Sequence, residues 1–537
     1  MTGREEKLQQ MRQPWDIIVV GGGITGAGVL REAAGLGLRC LLLEQRDFGW
    51  GTSSRSGKLV HGGLRYLKQG QVRTTRHSVR EREKLLREYR GLVEPLEFML
   101  PVRRGAFLEA VALRAGLTLY DLLAGHKSCR RCDAAGAARL VPELGVSNMA
   151  GAFLYRDAGT DDARLVLRVL GQGQKLGGAA LNYVRVEEPL PDRSGRVRGL
   201  AVRDVLAGGT AEIQARVVIN ATGVWADQLR GRLGAEPRLR PLRGSHLIFS
   251  RRRFPLRLAV SFAHPRDRRP VYVFPWEGVT LLGTTDVDHL PPLDVEPRIS
   301  PEEGQYLLDG VRHVFPSLEL TPGDVVSTFA GVRPVVHTGQ KDPSKESRDH
   351  VIWDDDGLVT VTGGKLTTFG LLARQALARA GKWLDGAGCG AGSGSGAFRR
   401  SAGQVEQAAA GPGGAAAACG EPDKGHLCRL YGRYGPDADA LLAEAGPGGL
   451  ETVPGTETLW VELRWAARRE AVVHLDDLLL RRTRLGHLLP AGGAGLVRRL
   501  RRELQPVLGW DDRRWDSEWR RYTDLLFNYP AGESVWS

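Results

Sequence analysis

The junction between Asp16-Ile17-Ile18-Val19-Val20 and Gly21-Gly22-Gly23-Ile24-Thr25-Gly26 constrains this chain more than any other stretch. A continuous β-branched run reads as a strand covered on both faces, the kind found in parallel sheets. The residues after it, through Ala34, read as a helix, and a second apolar run, Cys40-Leu41-Leu42-Leu43, ends at Glu44. This is a βαβ unit, and its glycines have separate tasks. Gly21 permits the tight turn, Gly23 lets the backbone approach a pyrophosphate, and Gly26 lets the helix pack against the strand. The helix N-terminus offers unpaired N–H groups and a positive dipole end to phosphates. Glu44 stands where a carboxylate accepts hydrogen bonds from ribose hydroxyls. The unit therefore predicts an α/β fold with a Rossmann-like dinucleotide site.

Further strands of the buried type are expected at 216–220, running into Ala221-Thr222-Gly223, and at 359–362, running into Gly363-Gly364. Residues 76–90 read as an exposed charged helix. Between 235 and 340 the pattern suggests Pro-rich turns with short strands, among them 271–274, 280–283 and 335–336. Much of the glycine excess (70 of 537 residues) falls at 386–423, a Gly/Ala/Ser-rich segment read as a linker or insert. Helical spacing of apolar residues returns after it. The expected organisation is an α/β module over 15–385, a linker or insert over 386–425, and a small α-helical C-terminal domain over 426–537.

Composition excludes several classes. Apolar residues make up 42% and charged residues 26%, which is globular and neither fibrous nor wholly disordered. Six cysteines are too few for a disulfide framework, and Cys129 and Cys132 form a lone CxxC without a second pair, so no metal site is expected. The first sixteen residues are charged and lack an apolar core, so they do not read as a signal peptide. The apolar run 17–30 falls short of the ~20 residues that a spanning helix needs. Net charge is +13, with only 11 lysines among 75 basic residues. That excess suits an anionic substrate or an anionic surface. Nucleic acid is not an expected partner, because no recognition module or row of stacking aromatics accompanies the charge and the aromatic fraction is 7%.

The βαβ motif alone does not separate the dinucleotides. The polar, glycine-rich stretch from Gly51 to Tyr66 suits a long cofactor laid across the protein, as a flavin's pyrophosphate and ribityl chain are. Eight segments then carry a resemblance: DIIVVGGGITGAG (16–28), GKLVHGGLRYL (57–67), YRDAGTDDARLVL (155–167), INATGVWAD (219–227), RGSHLIF (243–249), LLGTTDVD (281–288), AGVRPV (330–335) and GGKLTTF (363–369). In this order they resemble the FAD-dependent, respiratory-type glycerol-3-phosphate dehydrogenases, within the glycine-oxidase-like flavoproteins. WAARREAVVHLDDLLLRRTRLG (465–486) is similar to that family's C-terminal domain. The resemblance implies an FAD-binding domain interleaved with a mixed-sheet substrate domain. It assigns to the cofactor Gly21, Gly23, Ile24, Thr25, Gly26, Glu44, Gln45, Thr52, Ser53, Ser54, Lys58, Leu59, His61 and Gly63. It adds Ala221, Thr222, Gly223, Gly364, Lys365, Leu366 and Thr367.

The implied reaction oxidises sn-glycerol 3-phosphate to dihydroxyacetone phosphate, with hydride passing from C2 to flavin N5 while a base takes the hydroxyl proton. Such chemistry needs cations for the phosphate and a base poised near the working pH. A guanidinium fork matches phosphate geometry, and the resemblance assigns Arg65 and Arg333 to substrate, with Tyr66, Thr285 and Lys365 beside them. Arg333 reads as part of a short turn. His61 and His246, both in glycine-flanked stretches read as loops, are the candidates for the base together with Tyr66. Asp161 and Asp162 read as a helix N-cap and first turn. The family's acceptor is a membrane quinone, which implies a homodimeric cytoplasmic protein lying peripherally on the inner face of the cell membrane. The stretch 103–120, with basic residues beside Phe107, Leu108, Val111 and Leu117, reads either as an interfacial amphipathic element or as a helix packed on the substrate domain. The alternative functional reading is an oxygen-using flavin oxidase acting on glycerol 3-phosphate, an amine or a hydroxy acid.

Overall fold

The computed structural model describes residues 11–384 and 425–527, apart from residues 69, 341, 343–345, 347 and 348, together with residues 4, 6, 8 and 9. The side chains of Arg65 and Lys68 and the expected linker over 386–424 lie outside the described residues.

The opening unit forms as its sequence dictates: strand β1 (Trp15–Val20), helix α1 (Ile24–Gly35) and strand β2 (Cys40–Leu43). Strands Leu358–Thr362, Thr210–Asn220, β1, β2 and Ala179–Leu181 run parallel in that spatial order, so Val19 lies between Ile219 and Leu42. Side chains alternate between the faces of a strand. Ile17 and Val19 therefore join one apolar cluster with α1 and the helices Asp162–Lys175 and Phe369–Leu384. Ile18 and Val20 join another, built with the antiparallel strands Val184–Pro191 and Val197–Asp204. Both faces are covered, which is why these strands read as unbroken apolar runs.

A ten-stranded mixed sheet forms the second layer, carried by two long pairs: Val93–Arg103 with Met149–Thr160, and Leu239–Ser250 with Val325–Val336. The chain crosses between the sheets repeatedly. Strands from 15–43, 179–220 and 351–362 belong to the first, and those from 59–160 and 239–336 to the second. This interleaving makes the boundary between the sheets from several loops at once. Helix Pro301–Val314, started by a Ser300/Glu303 capping box, covers one face of the second sheet. Helices Val72–Glu88 and Phe107–Ala124 pack on the other side. Residues 425–527 are helical and close around Trp460, Trp515 and Tyr522.

Two local expectations are corrected. Arg333 is not in a turn, and His246 is not in a loop; both lie in twelve-residue strands, paired in antiparallel register with Leu242 opposite Arg333 and Phe329 opposite His246. Gly and Pro in AGVRPV and RGSHLIF suggested turns. Yet Pro334 lies on a strand paired on one side only, where a missing N–H is tolerated, and the glycines are there to admit neighbouring side chains.

Candidate active site

A cleft of about 1420 Å³, its open mouth included, runs along the carboxyl ends of β1, β2 and their parallel neighbours. Ligands in open α/β sheets bind at this edge. Gly21 has φ +108°, and a Cβ there would lie 2.6 Å from the Ala221 carbonyl oxygen; one on Gly26 would lie 1.9 Å from the Gly21 carbonyl. Only glycine lets α1 begin this close to the strands. Gly23 is the extended N-cap of α1, and the next amide, of Ile24, donates to Ser53 Oγ at 3.0 Å. Glu44 ends β2 with its carboxylate accepting from the amides of Gly22 (2.7 Å) and Arg46 (2.8 Å). Burial raises its pKa, and those two amides oppose the rise. This cradle fits a dinucleotide: unobstructed backbone at a helix N-terminus for the pyrophosphate and a buried carboxylate for a ribose.

Of the residues expected at the cofactor, Gly21, Gly23, Ile24, Thr25, Glu44, Gln45, Thr52, Ser53, Ala221, Thr222, Gly223, Gly364, Lys365 and Leu366 line this cleft. The rest stand behind it. Gly26 is a packing residue. Ser54 works through its carbonyl, which accepts from Lys58 Nζ (2.6 Å) and Arg484 (3.1 Å). Lys58 is fully buried, with Nζ 2.9 Å from Asp162 and 4.6 Å from the Phe329 ring centre. Burial drives its pKa down to about 7, with Asp162 opposing and Arg484 adding to the fall. Leu59 is a strand residue opposite Gly159. Thr367 donates to the His61 carbonyl at 3.4 Å and so ties the 366–368 turn to the 61–66 segment. Gly63, at φ +81°, admits the Tyr66 ring.

The substrate wall is built from the two long strands. A Cβ on Gly244 would meet the Arg333 guanidinium at 2.1 Å, and one on Gly283 would meet the His246 ring at 2.1 Å. Each glycine thus leaves the space that its cross-strand neighbour fills. Arg333 is oriented by Asp286 (3.0 Å), Thr284 Oγ1 (2.9 Å) and the Thr285 carbonyl (3.3 Å), with 28% of the side chain exposed. Its neighbour Pro334 lines the same cleft as Lys365. Lys365 Nζ sits 3.6 Å from the centre of the Tyr66 ring, with His61 on that ring's other side at 6.4 Å. Arg65 lies in the short helix Leu64–Lys68 beside them. His246 is buried, stacked on Phe329 at 4.5 Å, with its Nε2 turned toward Gly57 and its Nδ1 without a hydrogen-bond partner. Burial, then the positive charges of Arg333 and Lys58, hold its pKa well below that of ordinary imidazole.

Thr285 does not face this wall. Its hydroxyl donates to Glu303 Oε1 (2.5 Å) and accepts from the Ser245 amide (2.9 Å), so only its carbonyl serves the site, by fixing Arg333. Thr285→Val should cost stability by about 1–3 kcal/mol, the usual penalty for stranding buried partners, with KM for substrate close to wild type. Paired denaturation curves and kinetics check this, and a tenfold KM increase without a stability change would restore the sequence-based assignment. Asp161 and Asp162 form the N-cap and first turn of their helix as expected. Sequence reasoning missed Asp286, Phe329 and the cleft's Trp50 and Trp225. It also missed the C-terminal arginines behind the loop. Asp286 was legible within LLGTTDVD as an acid close to an arginine-bearing strand. The others carry no local signal.

Cys129 and Cys132 are thiols, and no group of three or more potential metal ligands occurs among the described residues. No helix among them is long and apolar enough to cross a membrane.

Residues 16–380 match the family model described as FAD dependent oxidoreductase, and residues 403–515 match that described as the C-terminal domain of alpha-glycerophosphate oxidase. The aerobic glycerol-3-phosphate dehydrogenase of Bacillus subtilis is 38% identical over 379 residues, covering 69% of this chain and 68% of its own. That of Staphylococcus epidermidis is 33% identical over 495 residues, covering 87% and 86%. Among solved structures, the glycerol-3-phosphate dehydrogenase of Bacillus halodurans complexed with FAD superposes with a TM-score of 0.74 at 27% identity, over 99% of both chains. The L-alpha-glycerophosphate oxidase of Mycoplasma pneumoniae, at 18% identity and a TM-score of 0.56 over 68% of this chain and 95% of that one, is similar in fold alone. The interleaved sheets, the glycine cradle and these matches converge: this chain is an FAD-dependent oxidoreductase and belongs to the aerobic glycerol-3-phosphate dehydrogenase family.

Proposed function

We propose that this protein oxidises sn-glycerol 3-phosphate at C2 to dihydroxyacetone phosphate and passes the electrons to a membrane quinone. The observation that carries the reading is the pairing of a pre-oriented guanidinium, Arg333, with a buried neutral imidazole, His246, beside a dinucleotide cleft. The flavin, when bound, supplies the two-electron acceptor for the hydride leaving C2. The protein's residues do the remainder. Arg333, with Lys365 and Arg65, grips the phosphate; a planar fork held by Asp286 and Thr284 is already in binding geometry. Tyr66 supports the Lys365 ammonium through its ring face. His246 receives the hydroxyl proton on Nε2. Burial and two nearby cations keep its ring neutral in the resting site, so it is ready to accept. A bound phosphate dianion on Arg333 cancels one of those cations, and the protonated ring becomes tolerable only with substrate in place. His61, on the other flank of Tyr66, shapes this wall through its carbonyl and ring. The same reading divides the chain into a catalytic module over 15–385, a connection over 386–425 and a helical domain over 426–537, and it assigns the protein to the inner membrane face.

Anaerobic mixing of the purified yellow protein with sn-glycerol 3-phosphate should bleach the flavin absorbance, and dihydroxyacetone phosphate should accumulate one for one. An unchanged spectrum would refute the substrate assignment. Re-oxidation by a short-chain quinone without peroxide supports the quinone as acceptor. Stoichiometric peroxide in air would instead make the protein an oxidase.

A further inference from the structure

Helix Phe107–Ala124 contributes five of the large apolar side chains that the described residues leave exposed: Phe107 at 75%, Leu108 at 83%, Val111 at 51%, Leu119 at 37% and Leu122 at 76%. With 100° per residue, these positions and the exposed Ala112 and Ala115 fall within an arc of about 140°. The opposite side is anchored, since Leu117, Tyr120 and Asp121 are buried against the second sheet. An exposed contiguous apolar stripe on a soluble surface marks a contact that the isolated chain does not satisfy.

Charge identifies the partner. Arg103, Arg104, Arg114, Lys127 and Arg131 are exposed at or beyond the helix ends and along its edge. The one exposed acid on the helix, Glu109, is offset by Arg268 at 3.8 Å. An apolar arc rimmed by cations is the pattern of a helix lying in the plane of an anionic bilayer, apolar face in the acyl boundary and basic groups at the headgroups. At about 27 Å long, the helix is suited to lie along that surface. The anchored side reaches the catalytic wall. Tyr120 Oη donates to Asp157 (2.9 Å), which also takes the Gly62 amide (2.9 Å) between His61 and Gly63.

We infer that helix Phe107–Ala124 is the lipid-contacting element, docking this protein in-plane on an anionic membrane with the 61–66 wall of the site directly behind it. This deepens the membrane reading given above by naming the element responsible, and a single experiment separates the two. Holoenzyme and the variant Phe107→Ser/Leu108→Ser/Leu122→Ser are sedimented with vesicles of phosphatidylglycerol and phosphatidylcholine, and with vesicles of phosphatidylcholine alone. All three substituted residues are exposed and lie outside the catalytic machinery. Activity with a water-soluble dye acceptor should therefore stay at wild-type level and report that the variant is folded. The expected result is wild-type binding to the anionic vesicles, weakened by added salt, and a roughly tenfold or greater loss of partition in the variant. Wild-type protein that binds neither kind of vesicle would overturn the membrane reading itself. Equal binding by wild type and variant would overturn the helix assignment alone. A wild-type dimer that becomes monomeric in the variant, with vesicle binding unchanged, would make the stripe an interface between two copies of this chain and would equally overturn the inference.

Discussion

Replacing Arg333 by alanine will lower kcat/KM for glycerol 3-phosphate by about 100-fold, mostly through KM, while the protein stays yellow. The size follows from what is lost. A charge-assisted hydrogen bond contributes about 1.5–3 kcal/mol, and a guanidinium meets phosphate with two at once; 1.4 kcal/mol is tenfold. The loss falls on KM because the phosphate is gripped before and during the transfer at C2 alike, so the binding is uniform. Flavin should survive because Arg333 holds Asp286, Thr284 and the Thr285 carbonyl on the second sheet, whereas the glycine cradle belongs to the first. Asp286 keeps a cationic neighbour in Arg269 at 3.6 Å, so the deletion does not leave a lone buried carboxylate. Arg333→Lys should recover only part of the loss, since an ammonium keeps the charge without the fork. Steady-state kinetics with the flavin absorbance of each preparation decide the matter. A colourless Arg333→Ala protein would put this residue at the cofactor, and an unchanged KM would remove it from the site.

The cofactor half of the site was legible because its constraints are local. Gly21, Gly26 and Glu44 are fixed by one turn and one strand length, and the physics of that turn leaves a pattern in adjacent residues. The substrate half was legible by resemblance and opaque by spacing. His246 and Arg333 come from neighbouring strands of the second sheet, and what unites them is cross-strand register, which no sequence period encodes. The glycines that seat them, Gly244 and Gly283, read as turn formers in the chain and act as recesses in the fold. Thr285 was misassigned for a related reason: a hydroxyl in a conspicuous motif can face either side of its strand, and Glu303, eighteen positions on, decides which. Phe107 and Leu108 were ambiguous because an amphipathic pattern specifies a face without specifying what covers it. The packing of Leu117 and Tyr120 resolves which face is turned inward.

The heaviest loss should come from Arg484, a residue of the C-terminal domain. Within six residues that domain sends Arg481, Arg482 and Arg484 into the back of the 44–58 segment, whose front lines the cofactor cleft. Arg481 and Arg482 close on Asp47 at 2.5 and 2.6 Å. Arg484 holds Asp161 (2.9 Å), Asp162 and the Ser54 carbonyl (3.1 Å). All five charged residues are buried. Removing one partner of a buried ion pair costs about 3–5 kcal/mol, because the remaining charge stays desolvated. Arg484→Met should therefore lower the unfolding midpoint by several degrees and loosen the 52–54 turn enough to lose flavin on gel filtration. Lys58 sets the pH dependence. Its folded pKa, lowered to about 7 by burial, lies below the unfolded lysine value of about 10.4. Between those values the unfolded chain binds more protons than the folded one, so this group makes the wild type more stable as pH rises from about 7 toward 10, and its full penalty applies below 7. Without the Arg484 charge the Lys58 pKa moves back up, protonated Lys58 balances Asp162, and the slope of stability against pH between 7 and 9 flattens. Denaturant unfolding of both proteins across that range, with flavin content measured on each sample, makes the comparison. A variant with wild-type midpoint, flavin and slope would show that the C-terminal arginines merely touch the catalytic module and do not hold its cofactor loop in place.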